Sequence, residues 1–385
     1  MRIAIVAESF LPLMNGVTHS ILRVLDHLQD RGDDVLVIAP SAHDGQVPGQ
    51  VKGAEVHRLP AVPLAGYTNV RVALGGVYRV KRILAEYAPD VVHLASPFVL
   101  GWRAAQAAHQ LGIPSVAIYQ TEVPSYAARY GVPFLENWAW NRVENIHLLA
   151  TRTLVPSTFA LNQLRGRGIP RVRMWRRGVD TARFSPEKRD DGWRASVAPG
   201  GERIIGYVGR LAVEKQVEDL AALAGIPNTK LVVVGDGPQR TALEAALPDA
   251  AFTGFLGGDE LARAVASFDL FVHPGEFETF CQTIQEAMAS GVPVVATGRG
   301  GPLDLVENSR TGWLYEPGDL TAMRARVQDL IGDDAKRRAF AAAAHASVRD
   351  RTWPALCTEL VQHYTDVIAD VPVAAERFNS KGAKL

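Results

Sequence analysis

The sequence predicts an α/β protein made of two doubly wound, parallel-sheet domains that face each other across a cleft. Three observations lead to that class. The chain has 385 residues, more than one ordinary domain holds. Short, continuous apolar runs alternate with helix-like segments, which is the pattern of a sheet covered on both faces. The alternation stops near Arg177-Gly178-Val179-Asp180 and starts again at Arg203. Alternation of this kind implies right-handed crossovers within each half.

The elements follow in order. A strand is predicted over 2–7, then a helix over 20–31 that Gly32 ends, then a strand over 35–39. Residues 70–85 carry Arg71, Arg79, Lys81 and Arg82 among apolar residues and are predicted as an amphipathic helix. It either packs on the sheet or rests weakly on anionic lipid. Strands over 90–95, 115–119 and 153–156 complete the first domain, 1–185. Residues 186–201 are charged and bear Gly and Pro, as a linker does. The second domain, 202–352, opens with a strand over 203–208 and continues with strands over 230–234, 269–273 and 293–296. A long amphipathic helix follows over 353–368, in a segment 353–371. The tail 372–385 reads as poorly ordered.

Composition narrows the function classes. Hydrophobic residues make up 47% and charged residues 21%, ordinary values for a soluble globular protein. The formal net charge is zero, so no overall field points to nucleic acid as a partner. Up to Asp190 there are 22 Lys/Arg against 15 Asp/Glu, and the bias reverses afterwards. That asymmetry suits an acidic acceptor or an anionic membrane, or is scatter. Cys281 and Cys357 form no disulfide framework, which suits a reduced, cytoplasmic protein. Residues 1–7 lack the make-up of a signal peptide, and no apolar run is long enough to span a bilayer.

The loop after the first strand excludes two nucleotide chemistries. Residues 8–17 hold a single glycine, and Pro40-Ser41 stands where a ribose-binding acid would end the second strand, so the sequence does not carry the NAD or FAD motif. No Walker lysine loop occurs either. What remains is Asn15-Gly16 just before a helix, where a bare backbone N–H and the helix dipole can meet a diphosphate. A plain turn glycine is the alternative.

The second half carries the denser constellation. Gly209 lets the backbone approach a ligand, and Arg210 and Lys215 leave the same strand end. A diphosphate leaving group calls for fixed positive charge, because negative charge builds on it as a glycosidic bond breaks. Two solvated loop charges are the alternative. Next, Pro274-Gly275 breaks the chain, and a helix is predicted to start near Thr279 or Phe280, with its unpaired N–H groups turned towards the cleft. Glu278 sits at its mouth and Glu286 two turns in. One would bind the sugar and the other the ribose, since a carboxylate accepts two hydroxyl hydrogen bonds. Gly235 makes a turn at another strand end, and Phe255, beside Gly254, would border the base. Asp236 is as well explained as a helix cap.

Together these residues resemble the retaining glycosyltransferases of the GT-B fold, family 4. The likeness rests on the E-x7-E pair Glu278 and Glu286, the G-R-L…E-K segment with Gly209, Arg210 and Lys215, the V-G-D-G-P turn, and the A-S-G-V-P-V-V-A-T run over 289–297. It extends to Asn15-Gly16-Val17 and Gly178-Val179-Asp180. The resemblance implies that Arg210 and Lys215 hold the donor diphosphate. It gives Glu278 and the amides of Thr279, Phe280 and Cys281 to the transferred sugar and Glu286 to the ribose. Gly16 would reach the diphosphate from the other domain, and the last helix would cross back to the first domain. It implies a nucleotide-sugar co-substrate and no cofactor or metal. Within the family the chain most resembles the actinobacterial GDP-mannose-dependent mannosyltransferases of glycolipids, and more distantly plant sulfoquinovosyl transferases. These share A-E-S-F-L-P-x-x-N-G-V and Y-x-T-x-V-P.

One departure stands out. Many members carry a histidine where this chain has Gln120. A neutral amide cannot act as acid or base, so the resemblance favours a front-face mechanism in which the departing phosphate takes the acceptor proton. Gln120, Glu122 and Tyr126 are the candidate sugar or acceptor contacts, with Arg129, Tyr130, Trp138 and Trp140 nearby. His19, His109, His147 and His273 lack metal-ligand spacing, and His93 reads as structural. The competing functions are a UDP-sugar-dependent enzyme acting on a soluble small-molecule acceptor and a non-catalytic sugar-nucleotide-binding protein. Peripheral attachment to the inner face of the membrane goes with the glycolipid reading.

Overall fold

The structure, a computed structural model, describes residues 1–42, 48–64, 67–95, 97–120 and 134–370. Glu122, Tyr126, Arg129, Tyr130 and the tail 372–385 lie outside the described residues. The first sheet contains β1 (Arg2–Ala7), β2 (Asp34–Pro40), β3 (Gln50–Val51) and β4 (Ala54–Leu59). After a separate antiparallel pair, β5 (Ala61–Leu64) and β6 (Tyr67–Ala73), it continues with β7 (Val91–Ala95), β8 (Ser115–Ile118), β9 (Arg152–Val155) and β10 (Val172–Met174). Its order is β10-β9-β8-β7-β1-β2-β4-β3, parallel except for β3 against β4. The second sheet is β11 (Arg203–Val208), β12 (Thr229–Val234), β13 (Ala251–Gly254), β14 (Leu270–His273), β15 (Val294–Thr297) and β16 (Gly312–Tyr315), in the order β13-β12-β11-β14-β15-β16. Every pairing in it is parallel. Strand order reverses between β1 and β7 and again between β11 and β14. Ligands of open α/β sheets bind outside the strand ends at such points.

Burial explains why the strand predictions succeed. β1, β2, β7, β11 and β14 are apolar at nearly every position because helices cover both faces. The last helix, Trp353–Asp370, lays Trp353, Leu356, Leu360, Tyr364 and Val367 into the core of the first sheet. Its Leu356 carbonyl accepts the Trp175 indole N–H at 2.8 Å.

The first helix, predicted over 20–31, spans Gly16–Asp30, and three further predicted segments are corrected. Residues 70–85 do not form one helix. β-branched residues and alternation make Tyr67–Ala73 a strand, and Gly75, at φ +99°, turns the chain before the helix Val77–Tyr87. The supposed linker 186–201 is ordered. It holds the helix Asp191–Val197, capped by Asp190 accepting from the Trp193 N–H, and its arginines bind a buried carboxylate. Arg189 and Arg194 lie 3.1 and 2.9 Å from Asp269. Finally, the helix predicted to start near Thr279 spans Gln282–Ala289. Residues 274–281 form a longer strand-to-helix loop than a regular N-terminus, and Cys281 adopts φ +76° at its end.

Candidate active site

A cleft of about 560 Å³ opens between the carboxyl ends of the two sheets. Its first wall begins at the loop after β1. Asn15 caps the helix Gly16–Asp30, its Oδ1 accepting from the Val17 and Thr18 N–H groups at 3.0 and 2.9 Å. Gly16 is therefore the first residue of a 15-residue helix whose positive end faces the cleft. The loop is anchored by Glu8. Its buried Oε1 accepts from the Phe98 and Gly101 N–H groups at 2.7 and 2.8 Å, at the start of the helix Leu100–Leu111. Burial raises the pKa of this carboxyl above the usual range. Gln120, just past β8, completes the wall.

The second wall is built from the ends of β11 and β14. Gly209 closes β11 because a side chain there would run into Tyr207, whose Oη would lie 2.6 Å from its Cβ. Arg210 is 57% exposed and lies 3.7 Å from Glu214, so it reaches into the cleft rather than the core. Lys215 places its ammonium 2.5 Å from Glu278 Oε1, and His273 Nε2 lies 3.2 Å from the same oxygen. Burial alone would push Glu278 up, but Lys215 and His273 prevail and hold it at about 2. Burial likewise opposes a charge on His273, yet Cys281 and Glu278 beside it raise its pKa to about 9. The Glu278 carboxylate therefore stays ionised at neutral pH, with Lys215 and His273 on either side of it. The walls touch through Thr279, whose hydroxyl donates to the Gln120 carbonyl at 2.9 Å.

The structure thus brings Asn15, Gly16, Gln120, Gly209, Arg210, Lys215, Glu278, Thr279, Phe280 and Cys281 to one cleft. It does not bring Gly235, Phe255 or Glu286 to its lining. Gly235, at φ +137°, sits against the Gly209 carbonyl, where an added Cβ would come within 1.9 Å, so it supports the site from behind. Phe255 is 78% exposed outside the cleft. Glu286 is buried behind Gln282, and burial raises it to about 8, which keeps it protonated at neutral pH. Trp140 is buried under Arg167, whereas Trp138 is half-exposed against Phe98.

Among the lining residues that sequence reasoning missed, His273 and Arg177 bear most on the chemistry. His273 was dismissed for lack of metal spacing, yet it ends a parallel strand immediately before Pro-Gly, and that position was the available signal. Arg177 lines the cleft too; its partners Gln120 and Gly16 are remote in sequence, so no local pattern marks it. His93 is structural as read: its Nδ1 pairs with the Tyr364 hydroxyl at 2.5 Å, and burial lowers its pKa to about 3. Among the described residues, His273, Glu278 and Cys281 put one metal-binding atom each within 4.8 Å of one another. The Lys215 ammonium already holds the Glu278 oxygen of that set, so a metal there would have to displace a cation.

Two family models match the sequence. One is described as Glycosyltransferase Family 4, over residues 14–183, and the other as Glycosyl transferases group 1, over residues 189–347. A GDP-mannose-dependent alpha-mannosyltransferase of Corynebacterium glutamicum is 51% identical over 373 residues, 96% of this chain and 90% of that one. A sulfoquinovosyl transferase of Arabidopsis thaliana is 33% identical over 93% of this chain and 72% of its own. Among solved structures, a sucrose-phosphate synthase from Thermosynechococcus elongatus superposes with a TM-score of 0.81 at 22% identity, over 96% of this chain and 99% of that one. No helix among the described residues is long and apolar enough to cross a membrane.

Proposed function

Because the chain belongs to the family 4 glycosyltransferases of the GT-B fold, we propose that it moves mannose from GDP-mannose to a glycolipid-type acceptor, with retention at the anomeric carbon and release of GDP. The observation that carries this reading is 51% identity along nearly the full length to an enzyme named for that donor.

The cleft chemistry supports the transfer. Arg210 and Lys215 take the diphosphate, and Gly16 presents its backbone N–H and the helix end from the opposite wall. When the phosphate arrives it competes with Glu278 for Lys215. Glu278 remains ionised and accepts hydrogen bonds from sugar hydroxyls, with the backbone of Thr279, Phe280 and Cys281 beside it. Glu286 lies behind Gln282 and reaches the ribose only where Gln282 moves aside. As the sugar–oxygen bond breaks, its electron pair goes to the phosphate oxygen; the acceptor's hydroxyl oxygen bonds to the anomeric carbon from the same face, and the phosphate oxygen takes the hydroxyl proton. No side-chain base and no metal is used; the cations stabilise the developing charge. A chelator should therefore leave turnover unchanged, and restoration of lost turnover by a divalent ion would overturn that part.

The acceptor side favours a lipid surface. Val62, Leu74 and Tyr78 are exposed on the first domain, and the helix Val77–Tyr87 carries Arg79, Lys81 and Arg82. Changing those three basic residues to Glu should abolish co-sedimentation with anionic vesicles; unchanged binding removes the membrane from the proposal. The donor is tested by thermal shift with GDP, GDP-mannose, UDP and UDP-glucose. Stabilisation of about 2.7 kcal/mol at a hundredfold excess over Kd is expected for the guanosine ligands. Stabilisation by the uridine ligands alone would overturn GDP-mannose as the donor.

A further inference from the structure

We propose that Arg177 is a third cation of the donor-diphosphate site, supplied by the wall opposite Arg210 and Lys215. The inference rests on reading the cleft as a nucleotide-sugar site and adds a residue that no motif of that site contains.

Its surroundings carry the argument. Arg177 is buried at 9% exposure and lines the cleft. Among the described residues its guanidinium meets only neutral acceptors. Nη1 donates to the Gly16 carbonyl at 3.3 Å, and Nη2 donates to the Gln120 amide oxygen. The neighbouring arginines differ. Arg23 has Asp180 at 2.6 Å, and Arg183 has Asp180 at 3.9 Å and Asp259 at 3.6 Å. A buried cation without a counter-charge is costly, and in this one burial lowers the pKa to about 10. Such a charge is kept where a ligand brings the anion.

The position fits a phosphate. A Cβ added to Gly16 would lie 3.6 Å from Arg177 Nη1, so the guanidinium sits beside the helix end that faces the cleft. Among the described residues, partners take one N–H on each terminal nitrogen, which leaves donors for a bidentate grip on oxygen. The contact with Gln120 has a second effect. An arginine can only donate, so the Gln120 amide oxygen is turned towards it and the amide NH2 group towards the remaining space. Gln120 then also donates, which is the polarity an anionic ligand needs. A carboxylate at position 120 would instead satisfy Arg177 within the protein and leave nothing for the ligand. The Arg177 backbone is fixed independently, because its carbonyl accepts the Gln285 amide at 2.9 Å.

The test is calorimetric titration of GDP, UDP and guanosine into the wild type, Arg177→Gln, Arg177→Lys and Gln120→Glu. The variants Arg177→Gln and Gln120→Glu should weaken whichever nucleoside diphosphate the wild type prefers by about tenfold to a hundredfold. Guanosine binding should stay unchanged, and Arg177→Lys should recover part of the loss. Wild-type diphosphate affinity in Arg177→Gln, or in Gln120→Glu, would overturn the proposal. So would an equal loss for guanosine and diphosphate, which marks a residue that merely holds the wall together. Which base the wild type prefers tests the mannosyltransferase reading separately, since each ratio is taken within one nucleotide.

Discussion

At the scale of single residues, the cleft is a balance of charges that the fold sets before any ligand arrives. Lys215 pairs with Glu278, and that pairing makes both residues sensitive to substitution. Lys215→Ala removes positive charge from the leaving group and releases Glu278, so kcat/KM should fall by roughly a hundredfold to a thousandfold in a donor-saturation assay. A loss under tenfold would place Lys215 outside the transition state. Glu286 gives a pH signature. Its pKa is 4.5 in its ordinary state and about 8 when buried here. Between those values the folded chain keeps a proton that the unfolded chain has lost. The stability that the neutral acid contributes is full below pH 4.5 and is lost as pH rises through 8. Glu286→Gln does not titrate, so its stability relative to wild type should climb from pH 4.5 to 8 and then level off in urea unfolding. A difference that stays constant with pH would mean that Glu286 is ionised in the fold. Sequence made Lys215, Arg210 and Glu278 legible because a motif held them at fixed spacing. It left Arg177 invisible, because its meaning lies in having no carboxylate partner among the described residues, and only packing determines that.

At the scale of elements, strands were easier to read than the segments between them. β11 matches its predicted bounds, since a strand buried on both faces has few compositional choices. β10 and β16 went unread because they are short and only partly buried. The segment 186–201 looked like a linker by composition, yet its charges answer a single buried acid, Asp269, far along the chain. The strand ends also explain why Gly235 belongs to the site without lining it. Gly235→Ala forces both a positive φ on alanine and a clash with the Gly209 carbonyl, and should cost on the order of 3 kcal/mol. It should also weaken nucleotide binding, because Gly209 must move. Gly32→Ala is the control: φ is also positive there, but nothing lies within 4 Å, so about 1 kcal/mol and unchanged binding are expected. Urea denaturation with a nucleotide titration separates the two. Equal behaviour of the pair would mean that Gly235 does not support Gly209.

For the molecule as a whole, few polar contacts among the described residues join the domains across the mouth of the cleft. Asp304 accepts from the Thr158 N–H at 2.6 Å and from its hydroxyl at 2.5 Å, both near the surface. Exposed contacts of this kind contribute little, so Asp304→Ala should change stability by less than about 1 kcal/mol. It should nevertheless increase the radius of gyration in X-ray scattering, and nucleotide should reverse the increase. An unchanged radius would mean that closure does not depend on this contact. The chain passes between the domains at two adjoining places. Gly178 lies so close to Trp353 that a Cβ would come within 2.6 Å of its Cα, and Val179 bridges Thr352 in parallel. Everything between those crossings forms the second domain, while Trp353–Asp370 finishes the core of the first. The second domain is thus an insertion within the first, and this orders events on the ribosome. The half made first cannot complete its core until the last helix has emerged. Until then the part of its sheet that the helix Gly16–Asp30 does not cover stays exposed, with Tyr364 and Leu360 still to arrive, and it is in that interval that the nascent chain needs shelter from aggregation.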